Sequence, residues 1–493
     1  MKKRILTLLL LTVLLAGCAG DGTTETVGKT AGDTAPSTET ETLSEKERQI
    51  AALPTGDYGG YDFMMLNNES NFAYTQMSAE ELTGEGINDA IYNRNSQVAD
   101  RLNVKLTERK VGYAEVTSTM NTSIAAGDST YSCFWNESQF VAPFAIAGSL
   151  WNVHDIAPLS LDQPWWNAGA MADLTVGDYL YFLVGDLHLM FKESFWMVGF
   201  NKNIADDAGI EDLYGVVREG KWTMDKMGAA MTAARADLNG DGVMDGNDRF
   251  GVTCYGACVI PQFIGAGETI VDRDTDGIPH FVTPDDRFYQ AYEKLVSTYF
   301  AKNIDYTCLN EKTKAISQYA AEGMDAFHGV FLSGHALFYL EPIGSLKKLR
   351  SMDAEFGVLP YPKLDEAQQD YATYIANYAA VCGIPVSAED PERVGVVLEN
   401  LCGLSHGELQ DAYIKDTLSF KYIRDEDSRD MLDILFETGR FNLSDQLDVN
   451  TVRSKIQDSA IAGKDSVASI LEKALPAAEK KLDENIRKLT QAE

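Results

Sequence analysis

Positive charge is what this chain has least of. Its 493 residues carry 42 Lys+Arg against 74 Asp+Glu, a formal net charge of -32. A surface of that sign repels phosphate backbones and anionic headgroups, which excludes nucleic acid as a partner. No basic cluster is present to receive a strongly anionic ligand. Histidine is scarce: there are six, none at His-Glu-x-x-His or other close metal-binding spacing, and His328 and His335 stand seven apart. Gly-x-Ser-x-Gly and the phosphate-cradling Gly-x-x-x-x-Gly-Lys-Ser/Thr are absent, and Gly265-Ala-Gly267-Glu268 lacks the third glycine of a dinucleotide loop. The seven Cys are too scattered for a disulfide framework, which belongs to small dense domains. Cys254 and Cys258 miss Cys-x-x-Cys spacing, and apart from Cys18 the thiols read as small buried apolar residues. A carboxylate pair for glycoside hydrolysis stays open, because the fold and not the sequence sets its separation.

What is present begins at the first residue. Lys2, Lys3 and Arg4 precede an apolar run, Ile5 to Leu15, broken only by Thr7 and Thr12. A basic start, a short apolar run and small residues before a cut site describe a secretory signal. The run is too short to span a bilayer. Leu15-Ala16-Gly17-Cys18 resembles the bacterial lipobox, in which the Cys is acylated and becomes the new N-terminus. This reading gives a signal peptide over 1–17 and a lipidated tether over 18–54, with palmitate-type acyl chains on Cys18. Acyl chains hold a protein at a membrane by their buried methylenes, and stable anchoring needs more than one chain. The expected location is the outer face of the cytoplasmic membrane, facing the periplasm if the cell has an outer membrane.

Residues 19–42 are Gly, Thr, Glu, Ser, Asp and Ala with almost no large apolar side chain, a composition that cannot bury enough surface to fold. Beyond Tyr61, strand and helix patterns alternate. Tyr61–Leu66, Val104–Leu106 and Tyr131–Trp135 read as buried strands. Ile87, Ile91, Val98 and Leu102 share one helical face, and Val116–Ala126 forms a helix capped by Gly127. Further strands are expected at Tyr179–Val184, Phe195–Asn201, Phe250–Tyr255, Phe356–Leu359 and Val381–Pro385. Helices are expected at Asp225–Ala236, Arg287–Phe300, Pro391–Cys402 and along Val452–Thr490. The β-α-β-α-β order implies an α/β class with parallel sheets and two lobes.

The sharpest local motif is Asp237-Leu-Asn239-Gly-Asp241-Gly242-Val243-Met-Asp245-Gly-Asn-Asp248. It fits the Asp-x-Asn-x-Asp-Gly start of a twelve-residue calcium loop. Asp237, Asn239 and Asp241 would supply oxygens, Val243 its carbonyl, Asp245 a direct or water-mediated contact, and Asp248 the closing carboxylate. The expected cofactor is a structural Ca2+, with Met244 packing inward beside it. The alternative is a solvated acidic loop without metal. Asp272-Arg-Asp274-Thr-Asp276-Gly277 echoes the motif, but Thr283 cannot close a site, and a hairpin turn is expected there.

Trp135, Trp151, Trp165, Trp166, Trp196 and Trp222 fall near strand ends, where rings can pack on sugar C–H faces. Each also has the ordinary reading of a core residue. The order of several segments then resembles the extracellular solute-binding lipoproteins of bacterial ABC importers, of the large sugar-binding type. Its carriers are Cys18, Leu82–Tyr92 with Arg94-Asn95, Asp162–Asn167, Phe200-Asn201-Lys202, Lys221-Trp222-Thr223, the acidic loop with Arg249-Phe250-Gly251, Leu359–Lys363 and Cys382–Pro385. The chain departs from that family at Tyr131–Trp135, where an apolar strand ending in Asp-Leu-Val or similar is usual.

The resemblance implies a two-lobed periplasmic-binding-protein-like fold of type II, its ligand cleft between lobes joined by crossing strands. It puts 55–190 with 335–380 in lobe one and 191–334 with 381–493 in lobe two. Loops after strand ends face such a cleft. They nominate Trp135, Asn136, Glu137, Asp186, His188, Tyr255, Glu341, Asn377 and Tyr378 as ligand contacts. The implied function is capture of a small solute, a carbohydrate or oligosaccharide, by a monomer that delivers it to ABC permease subunits without chemistry. A tethered surface glycoside hydrolase and a calcium-stabilised scaffold or adhesin are the competing readings.

Overall fold

The computed structural model describes residues 45–490, apart from 72, 255, 301–305, 308–315, 322–324, 416–424, 448–449 and 465. The chain divides into a short unit, Met1–Glu47, and a compact unit, Arg48–Glu493. Of the first, only Glu45–Glu47, the start of a helix ending at Ala52, are described, so the signal segment, Cys18 and most of the tether lie outside the described residues. Among the described residues no helix is long and apolar enough to cross a membrane.

Two sheets organise the second unit. Their strands are β1 (Tyr61–Glu69), β2 (Val104–Gly112), β3 (Cys133–Glu137), β4 (Trp196–Asn201), β5 (Phe250–Cys254), β6 (Tyr306–Thr307), β7 (Ala336–Pro342), β8 (Phe356–Leu359) and β9 (Ala380–Gly383). The first sheet runs β9-β3-β1-β2, and the second β8-β4-β7-β5-β6. β1 lies parallel to β2 and β3, while β9 is antiparallel to β3. In the second sheet β5 is parallel to β7 and β6, and β4 is antiparallel to both β7 and β8. Strands β3, β4, β5, β7, β8 and β9 are buried along their whole length, as sheets covered on both faces require.

Local chemistry places the helices as expected. Gly127 closes Tyr113–Ala126 in the left-handed region at φ 63, where no Cβ resists that conformation. The Thr223 hydroxyl accepts the Lys226 N–H at the start of Met224–Ala234. Val271–Arg273 and Pro279–Phe281 form the expected hairpin, its turn held by Asp274 Oδ1 accepting the Asp276 and Ile278 amides. The C-terminal stretch is two helices, Asn450–Ile461 and Val467–Thr490, with Gly463 between them at φ 64. Tyr179–Val184 is buried but forms isolated bridges, Val176 to Tyr179 and Leu183 to Cys382, in place of a strand.

The division of the chain between the sheets differs from expectation. β7 and β8, within the segment 335–380 assigned to lobe one, pair with β4 and β5 in the second sheet. β9, assigned almost wholly to lobe two, pairs with β3 in the first. A buried apolar strand carries no local mark of its sheet; its partners, far away in sequence, decide that.

The segments behind the resemblance hold the fold together. Arg94 is buried and donates to the carbonyls of Met77 (2.6 Å) and Leu187 (3.1 Å) and to Ser405 Oγ (3.2 Å). Trp165 and Trp166 both donate to the buried Glu399 carboxylate, at 3.1 and 2.8 Å. Trp222 donates to the Pro360 carbonyl at 2.9 Å.

Candidate functional site

Strand directions put the carboxyl ends of β1 and β3 on one edge of the first sheet, and those of β5, β7 and β8 on one edge of the second. The chain passes between the sheets beside these edges. Phe195, just before β4, bridges Ile375, the Ala376 amide donates to the Ser194 carbonyl (3.0 Å), and the Ile343 amide to that of Phe195 (2.8 Å). Residues 193–196, 341–343 and 374–378 therefore meet. Carboxyl edges are where open α/β sheets bind ligands.

Tyr378 stands at the centre of this meeting. It is half-buried, and burial together with the surrounding Glu341, Tyr374, Glu137 and Glu193 pushes its phenol up. Glu341, near the end of β7, is buried and accepts from Ser345 Oγ at 2.9 Å; burial raises its carboxyl to about 7. Glu193 accepts the Tyr74 amide at 2.6 Å and the Tyr413 hydroxyl at 3.4 Å, and burial likewise raises it to about 7. Glu137 ends β3 and is raised by burial against a hydrogen bond from Gln139 Nε2 (2.8 Å). Asn377 donates to Gln139 Oε1 at 2.9 Å, so one glutamine links Glu137 to the passing chain. Lys347 and Lys348 carry the nearby positive charge, Lys347 over the Tyr74 ring and Lys348 donating to His328 Nε2 at 2.7 Å. His328 in turn bonds Tyr339, and burial holds its ring near a pKa of about 3, hence neutral.

The first sheet adds Trp135 and His188, stacked with ring centroids 6.1 Å apart. His188 Nε2 meets Asn67 Oδ1 at 3.2 Å, and burial lowers its pKa to about 3. Among the described residues, His188 Nδ1 and Asn68 Oδ1 are buried with no hydrogen-bond partner, as are Trp196 Nε1, the Tyr361 hydroxyl and both ends of the Gln262 amide. Asn68 lies one residue before the end of β1, Trp196 opens β4, Tyr361 follows β8 and Gln262 lies in the helix after β5. Such orphans are rare inside proteins and cluster where a ligand or water completes them.

Of the nominated contacts, Glu137, Glu341, Asn377 and Tyr378 are brought together, and Trp135 and His188 stack beside Asn67 at the first edge. Asn136 is consumed elsewhere: its amide donates to the Tyr113 carbonyl and Thr117 Oγ1 at 3.0 and 3.2 Å, binding helix to sheet. Asp186 is engaged elsewhere, meeting His406 Nδ1 at 2.6 Å and pairing with Lys192 Nζ at 3.2 Å. Tyr255 lies outside the described residues. Sequence reading missed Glu193, whose Lys-Glu-Ser context looks like an ordinary surface turn. It also missed Asn67 and Asn68, though two amides closing a buried strand were a usable signal.

The acidic loop has the expected turns, with Gly240 and Gly242 at φ 73 and 78, and Met244 packs against the core. Asp237 accepts the amides of Gly240 (2.7 Å) and Gly242 (2.8 Å), Asp241 that of Val243 (2.8 Å), and buried Asp248 those of Leu238 (2.9 Å) and Asp245 (2.8 Å). Asn239 accepts the Asp241 amide at 2.9 Å, and Asp245 that of Asn247 at 2.8 Å. Among the described residues no three His, Cys, Asp or Glu gather to hold a metal. The loop's own amides donate to these oxygens.

No protein-family model matches the sequence, and no curated protein matches it. Solved structures do. MalE, the sugar-binding protein of Xanthomonas citri, superposes with a TM-score of 0.59 at 12% identity, over 87% of this chain and 99% of that one. The ABC substrate-binding protein Lmo0181 of Listeria monocytogenes, in complex with cycloalternan, gives 0.52 at 13% identity over 87% and 99%. UgpB of Mycobacterium tuberculosis, in complex with glycerophosphocholine, gives 0.54 at 15% identity over 87% and 99%. The likeness establishes the two-lobed fold of such solute-binding proteins.

Proposed function

We propose that this chain is a cell-surface solute-binding lipoprotein that captures a carbohydrate or oligosaccharide and passes it, unaltered, to the permease of an ABC importer. The observation that carries the reading is the convergence of polar groups from both sheets on Tyr378, where the chain passes between them. The half-buried Tyr378 ring suits a sugar C–H face, and the carboxyls around it suit hydroxyls. Closure of two lobes over such a ligand would favour the form a permease recognises. The neighbouring structures, a cycloalternan complex, a glycerophosphocholine complex and a sugar-binding protein, support a small polar solute. Acylation at Cys18 would hold the monomer at the outer membrane face, with Ca2+ as a structural ligand of the 237–248 loop.

A thermal-shift screen over mono- and oligosaccharides tests capture, and it should find a saturating rise for at least one of them. The anchoring is tested by Cys18→Ser, which should release the chain from the cell surface into the medium. A variant that stays membrane-bound would refute the lipid anchor.

A further inference from the structure

One pair of buried nucleophiles has no part in the site described above. Cys254 ends β5 and Cys258 immediately precedes the helix Val259–Gly265. Both are fully buried, and the Cys258 S–H donates to Cys254 Sγ at 3.2 Å. A disulfide needs the sulfurs about 2 Å apart, so the pair is roughly 1 Å from bonding distance. Cys402 is different: its thiol donates to the Trp165 carbonyl at 3.1 Å. Tyr361 adjoins the pair closely enough for the sulfurs to act on its hydroxyl. A Cβ placed on Gly265 would stand 2.6 Å from Tyr361 Cβ, so the far end of that helix packs tightly on the chain leaving β8.

We propose that Cys254 and Cys258 form a disulfide as the chain folds outside the cytoplasm, fixing the turn between β5 and its following helix beneath the carboxyl edge of the second sheet. The compartment rests on the lipoprotein reading, and the geometry does not. The oxidant is a disulfide donor, either a small-molecule disulfide or a thiol–disulfide oxidase. One thiolate attacks a donor sulfur, the donor S–S bond breaks, and a mixed disulfide forms with loss of one donor thiol. The second thiolate attacks the mixed disulfide and expels the other donor thiol. The protein pair loses two electrons and the donor gains them, with the two thiol protons ending on the expelled thiols. Since both sulfurs are buried in the fold, exchange precedes closure of the core, and the finished bond is shielded from reductant.

The test refolds the reduced, unfolded full chain in a glutathione–glutathione disulfide buffer, alkylates all free thiols under denaturing conditions and maps the peptides by mass spectrometry. The expected result is a Cys254–Cys258 peptide two hydrogen atoms lighter and free of alkyl label, resistant to dithiothreitol until denaturant is added. Cys258→Ser should leave Cys254 alkylated. Alkyl label on both cysteines, or either one linked to a third, overturns the proposal. Refolding does not depend on where the protein resides. Mapping the chain recovered by surface biotinylation of intact cells tests residence separately. Biotinylated protein with both thiols alkylated overturns the disulfide and leaves the location standing; a chain that biotin never reaches overturns the location alone.

Discussion

Two buried carboxyls set the pH behaviour of single residues in this molecule. Glu193 and Glu341 each rise from 4.5 to about 7 through burial. A carboxyl that holds its proton more tightly in the folded state favours folding at low pH. That advantage is lost as pH rises from the unfolded pKa through the folded one. The loss is on the order of 3 kcal/mol per group. His188, lowered from 6.5 to about 3, acts in the opposite sense, because its neutral ring favours folding above 6.5 and disfavours it as pH falls. Comparing one variant with wild type cancels the histidine. Glu341→Gln should therefore gain on wild type in melting temperature between pH 5 and pH 8. A difference that is flat with pH would mean the carboxyl is ionised throughout. Arg94 is a structural test at the same scale. Arg94→Met removes the bonds to the Met77 and Leu187 carbonyls and to Ser405 Oγ, while Met77 keeps the Asn95 amide and Ser405 its bond to the Leu401 carbonyl. The change should cost about 3 kcal/mol in urea unfolding, near 1 per hydrogen bond.

Elements were legible where their signals are local. The Gly127 cap and the Asp274–Gly277 turn each follow from the residues at those positions, and the structure has both. The pairing of β7 and β8 was not legible, because Trp196 opposite Pro342 and Phe356 opposite Asn201 are contacts made across more than a hundred residues. Glu193 was hidden for the same reason: Tyr74 and Tyr413, which bury it, come from distant segments. Glu137 and Glu341 were nominated because a polar residue at or near the end of a buried strand is conspicuous in the sequence itself. The loop 237–248 is the element whose sequence promises most, and its carboxylates accept from the loop's own amides. If its spacing serves calcium, chelator should lower the melting temperature, calcium should restore it, and Asp241→Ala should abolish the response. Melting indifferent to both additions would leave the amide-bonded loop as the whole of its role.

For the molecule as a whole, the two sheets matter because their carboxyl edges and the crossing chain bring Glu137, Glu193, Glu341 and Tyr378 into one neighbourhood. A clamp of this kind should respond to its site without losing its fold. Tyr378→Phe should weaken solute affinity about fivefold, one hydrogen bond's worth, with little change in melting of the free protein. The most direct test of solute capture is calorimetric titration of the full chain with a panel of mono- and oligosaccharides, followed by chromatography of each sugar after prolonged incubation. The account predicts saturable one-to-one binding of at least one sugar, recovered intact. A panel that gives no binding, or a bound sugar recovered as cleavage products, would contradict it.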